Sequence, residues 1–95
     1  MALEQDNSIF VGDKPFMNYV TGIVMQFTTH NQEEVIVKAR GKHISRAVDV
    51  AEMALKRFLE GKIAIKDISI DSEEVKNREG KLVRVSTIEI SLSRL

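Results

Sequence analysis

The chain has no cysteine, no tryptophan and one proline, and none of its apolar runs approaches the about 18 residues of a membrane span. Each absence excludes something. Without cysteine there is no disulfide, no thiolate metal site and no cysteine nucleophile. The opening Met1-Ala2-Leu3-Glu4-Gln5-Asp6 lacks a charged segment followed by an apolar core. The expectation is a soluble, intracellular protein with no membrane partner. His30 and His43 have no carboxylates at ligand spacing, so no metal site is expected. Ser45 stands near His43 without a third orienting group, which favours a helix-start role over catalysis. Gly12-Asp13-Lys14-Pro15 lacks the glycine cradle and Lys-Ser/Thr pair of a phosphate-binding loop. Nothing reads as an active site, and no cofactor is implied.

Net charge is also lacking, because 14 Lys+Arg balance 14 Asp+Glu. What is present is 43% hydrophobic and 29% charged residues in a chain of 95, the composition of one small folded domain. Residues 1–7 are polar and acidic and read as a flexible tail, leaving 8–95 as a single domain. Ser8-Ile9-Phe10-Val11 reads as a short buried strand ended by Gly12, with Pro15 at the first position of a helix. That helix runs to about Thr29, with Phe16, Val20, Ile23 and Phe27 at a 3.6-residue period and Met17 and Val24 widening the stripe. Val35-Ile36-Val37 is β-branched throughout and reads as a strand covered on both faces.

A second helix follows Gly41, with Ile44, Val48, Ala51, Leu55 and Phe58 on one stripe, Ala47 and Ala54 beside it and Gly61 as its stop. Ile63, Ile65, Ile68 and Ile70 mark a third strand whose alternation slips near Lys66-Asp67, the signature of a bulge. Asn77-Arg78-Glu79-Gly80 is the tip of a long hairpin. Its return strand points Ile88, Ile90 and Leu92 one way and Thr87, Glu89 and Ser91 the other. The order β-α-β-α-β-β gives an α/β (α+β) two-layer sandwich. It has a mixed four-stranded sheet, both helices on one face and a long hairpin arm between the third and fourth strands.

Charge is unevenly placed along this frame. Lys38, Arg40, Lys42 and Arg46 gather at the corner between second strand and second helix, with no acid between Glu34 and Asp49. A helix start offers unpaired backbone N–H groups and the positive end of the helix dipole, which suit a phosphate. Arg40 brings a bidentate fork and Lys42 a mobile point charge.

Four blocks along the chain carry a family resemblance: Gly12-Asp13-Lys14-Pro15-Phe16-Met17-Asn18-Tyr19-Val20, Val35 to Lys42, Ile44-Ser45-Arg46-Ala47-Val48-Asp49, and Arg84 to Ile90. Over residues 8 to 93 the sequence resembles the Alba (Sac10b) family of archaeal chromatin proteins. The resemblance implies a homodimer, cytoplasmic and chromosome-associated, that binds double-stranded DNA and RNA with little sequence preference. In that family the dimer body meets the backbone while the two hairpin arms reach along the minor groove. Lys14, Arg40 and Lys42 match its basic positions. Lys38 and Arg46 flank them, and Arg78, Lys81 and Arg84 lie on the arm. Phe58 matches an aromatic through which neighbouring dimers touch on DNA. Two departures stand out. Asp13 occupies a place where many relatives carry lysine, and the arm sets Asp71, Glu73, Glu74 and Glu79 against Lys76, Arg78, Lys81 and Arg84. Binding weaker or more selective than in basic relatives is expected. Two other readings remain: an RNA-binding scaffold of an RNA-processing complex, and a small-molecule enzyme, which needs a polar pocket with perturbed titrating groups.

Overall fold

The structure, a computed structural model, describes residues 6–95. Strand β1 (Ser8–Phe10) leads to helix α1 (Phe16–Thr28) and strand β2 (Glu34–Arg40). A 3-10 turn (Gly41–His43) then opens helix α2 (Ile44–Met53), which continues in a widened turn (Ala54–Phe58) before strands β3 (Ile63–Lys76) and β4 (Leu82–Arg94). The strands form one sheet in the order β1-β2-β4-β3, with β1 and β2 parallel and the other pairs antiparallel. Helix α1 packs on β1 and β2, α2 packs on β2 and β4, and the helices pack on each other. This is the expected two-layer sandwich.

The strand period of two and the helix period of 3.6 meet in one core. Val35, Val37 and Ala39 of β2 and Ile88, Ile90 and Leu92 of β4 lie under Tyr19, Val20, Ile23 and Phe27 of α1 and Ala47, Val50, Ala51 and Ala54 of α2. A fully buried side chain of this kind contributes about 1.5–3 kcal/mol. Phe27, Ile23 and Leu92 are the largest of them.

Several local expectations change. Burial along β2 alternates, with Ile36, Lys38 and Arg40 turned to the open face of the sheet. Both helices sit on the other side, so β2 is covered on one face and not on two. Phe10, expected in a buried strand, is 66% exposed. In α2 the buried stripe is Ala47, Val50, Ala51 and Ala54, while Val48 and Phe58 are exposed. The alanines let α1 approach closely, which turns the larger apolar residues to the flank. Pro15 is the residue before α1, in extended conformation, and not its first turn. The polypeptide widens at the end of α2, where the Leu59 N–H reaches the Ala54 carbonyl five residues back at 2.9 Å.

On β3 only Ile63 is buried; Ile65, Ile68 and Ile70 are exposed. They pair across the ladder with Leu92, Ile90 and Ile88, so they share the helix-bearing face but lie on the outer strand, beyond the strands on which the helices pack. The register shifts between Ile65 and Asp67, where the bulge was expected. Beyond the Arg40–Thr87 pair, β3 and β4 run on as a two-stranded ribbon. It closes through Asn77 N–H to the Lys81 carbonyl at 2.8 Å. Residues 1–5 of the expected tail lie outside the described residues. Asp6 and Asn7, also assigned to it, are tied down: Asp6 Oδ1 accepts from the Ser8 N–H, and Asn7 Nδ2 donates to the Glu34 carbonyl at 2.9 Å.

Candidate nucleic-acid interface

The loop between β1 and α1 is shaped by one hydroxyl. Tyr19, buried in the first turn of α1, accepts hydrogen bonds from the Gly12 N–H (2.9 Å) and the Lys14 N–H (3.0 Å). Two backbone donors that β1 leaves unpaired are thereby satisfied, and Lys14 is held at the loop's crest. Arg46, one turn into α2, donates to the Lys14 carbonyl at 2.7 Å and lies 5.8 Å from the Phe16 ring centre. It braces the loop from the neighbouring helix.

The second edge is the end of β2. Gly41 takes φ +59, where a side chain is strained, and a Cβ there would meet Val85 Cγ1 at 3.3 Å. The chain turns sharply at this point, which exposes Lys42 in the 3-10 turn. Lys14, Lys38, Arg40 and His43 thus line one open concavity of about 970 Å³, floored by the open face of the sheet.

The structure brings some of the sequence-predicted residues together and separates others. Lys14, Lys38 and Arg40 share the concavity, with Lys42 beside it and Arg46 behind the loop. Arg78, Lys81 and Arg84 lie out along the ribbon and its turn. Phe58, at the far end of α2, is 50% exposed.

Acids from other strands reach into this corner, and the local charge count did not reveal them. Arg40 pairs with Glu73, and Lys38 with Glu89 at 3.7 Å. Arg84 pairs with Glu74 at 3.6 Å and donates to Ser72 Oγ, while Asp13 lies 3.7 Å from His43. Lys14, Lys42, Arg78 and Lys81 make no ion pair among the described residues. Glu89 was findable, since antiparallel pairing of the two alternating strands sets it opposite Lys38. Glu73 was not, because its place depends on the hairpin register. Phe10 was missed for want of knowing that the sheet has an open face.

A sequence model of a family described as Alba matches residues 7–72. The DNA/RNA-binding protein Alba of Methanococcus maripaludis is 52% identical over 87 residues, 92% of this chain and 97% of its own. The DNA/RNA-binding protein Alba of Nanoarchaeum equitans is 55% identical over 85 residues, 88% of this chain and 93% of its own. Among solved structures, Alba from Thermoplasma volcanium matches with a TM-score of 0.85 and 48% identity, over 93% of this chain and all of that one.

Proposed function

Because the chain belongs to the Alba family, we propose that it is a non-enzymatic, dimeric architectural protein of the chromosome, acting in the cytoplasm. It binds double-stranded DNA through backbone phosphates with low sequence specificity, and residues 8–95 form the single binding domain. One observation carries the reading: a chain of zero net charge sets Lys14, on the loop before α1, and Arg40, at the end of β2, on one concavity, with Lys42 beside it in the turn that opens α2. Phosphate contacts position a protein on a duplex without reading its bases. Lys38 adds a cation within the concavity and Arg46 braces the Lys14 loop, and Arg78, Lys81 and Arg84 place further cations along the ribbon for contact with a groove. Dimerisation is supported by the exposed Ile65, Ile68 and Ile70, since a domain of this size gains core by association. Phe58 offers a separate apolar contact between neighbouring dimers.

Two copies of Lys14, Arg40 and Lys42 make about six phosphate contacts, so log affinity should fall with log salt at a slope of about −5. Fluorescence anisotropy on a short duplex from about 50 to 200 mM salt measures it. An affinity indifferent to salt rejects the mechanism. Arg40→Ala should weaken every duplex sequence alike, and a changed sequence preference would place Arg40 on base edges. RNA is the second ligand, favoured by the relatives' description as DNA/RNA-binding and by the fact that phosphate is common to both polymers. Competition between duplex DNA and structured RNA at one salt concentration ranks them.

A further inference from the structure

Phosphate contact leaves one feature of the corner unused. Phe10 closes β1 as a residue 66% exposed, on the open face of the sheet, lining the concavity. An aromatic ring costs free energy when wetted, and among the described residues only the Lys38 ammonium stands over this one. Its surroundings are specific. In register across the sheet stand Phe10, Lys38, Glu89 and Ser69, so an aromatic face, a cation and a carboxylate succeed one another in a single row. The Lys38 ammonium lies 5.3 Å from the ring centre and Glu89 is 3.7 Å beyond it. Lys14 and Arg40 stand at the rim of the same concavity.

We infer that this concavity receives an unpaired nucleobase of a single-stranded nucleic acid, stacked on Phe10. The inference rests on the nucleic-acid reading above and deepens it. A base is flat and apolar on its faces, which matches the ring. Its edge carries N–H donors, which match the Glu89 and Glu73 carboxylates. Its nucleotide carries a phosphate, which matches Lys14 and Arg40. A protein partner with an apolar knob would satisfy the ring and leave this mixture of charges unmatched. A paired base cannot enter, because its faces are covered by its neighbours in the stack and its edge by its complement. Stacking on an aromatic face outweighs an exposed cation–π contact, so a base displaces Lys38 from the ring. The freed ammonium then meets the phosphate. Duplexes use the rim cations alone, whereas single strands use the rim and the ring.

The test compares a 20-nucleotide strand without self-complementarity, as DNA and as RNA, with a duplex of the same length. Anisotropy is read for the parent protein, Phe10→Leu and Phe10→Tyr. Phe10→Leu should weaken binding to both single strands by about tenfold while duplex affinity stays within about twofold. Phe10→Tyr, which keeps the π face, should bind as the parent does. A loss confined to the RNA strand or to the DNA strand would identify which polymer uses the site. Equal loss on strands and duplex, or no loss on either, overturns the inference while leaving phosphate binding in place. Dissociation of the Phe10→Leu protein into smaller species in sedimentation would make Phe10 an interface residue and overturn it as well. A parent protein that binds neither polymer removes both readings together.

Discussion

Arg40 is the cation the phosphate reading depends on most, and it is engaged. Its guanidinium pairs with Glu73, both side chains being about half exposed, and an exposed pair of this kind is worth about 0.2–1 kcal/mol. On the proposed reading a phosphate would displace Glu73 at small cost, but at a cost that recurs in every binding event. Glu73→Gln should raise duplex affinity about two- to fivefold in anisotropy at low salt. Glu79→Gln removes the same charge from the turn, where its backbone is held by Asn77 and its side chain makes no ion pair among the described residues, and should change affinity less. Equal gains would assign the effect to overall charge and not to release of Arg40. Tyr19 acts at the same scale on stability. Tyr19→Phe leaves the Gly12 and Lys14 N–H groups without their acceptor, at about 1–3 kcal/mol per unpaired buried donor and less for donors that water reaches. Denaturation at fixed protein concentration should show a loss of about 1–2 kcal/mol, and an unchanged midpoint would mean that water replaces the hydroxyl.

Among the elements, the turn from β2 into α2 concentrates the backbone constraint. Gly41 sits at φ +59 with Val85 Cγ1 in the path of any Cβ, so Gly41→Ala incurs left-handed strain of about 1–2 kcal/mol and pushes against the ribbon. The expected result is a lower thermal midpoint together with weaker duplex binding, since Arg40 and Lys42 flank the displaced turn. An alanine variant with parent-like stability and binding would show that the turn relaxes freely. This glycine was legible in the sequence because it interrupts a β-branched run and precedes a helical stripe. So were both helices, the bulge at Lys66 and the hairpin tip, each marked by a local pattern. What stayed hidden required neighbours in space. The open face of β2 follows from both helices lying on one side. The α2 stripe turned by one residue because alanines admitted α1. The pairing of Arg40 with Glu73 needs the register of two strands that meet only after the hairpin closes. Local periodicity sets elements, and the approach of one element to another sets which residues face the ligand.

For the whole molecule, the proposed dimer is what multiplies a few cations into a binding surface. One copy offers Lys14, Arg40 and Lys42, about three phosphate contacts, which predicts a salt slope of about −3 in place of about −5. The exposed isoleucines of β3 are the site to separate the two cases. Ile68 stands between Ile65 and Ile70 on the outer strand and is half exposed in the single chain, so a charge there does not disturb the core of one copy. In a dimer sealed through this strand, the same charge is buried without a partner, which is strongly unfavourable. Ile68→Glu should therefore sediment as a monomer at concentrations where the parent is a dimer, with circular dichroism unchanged. Its duplex affinity should fall and its salt slope should drop by about half. A monomeric variant that keeps the parent slope would mean that each copy already supplies all the contacts. A variant that stays dimeric would move the interface away from β3 and leave the isoleucine stripe to another partner.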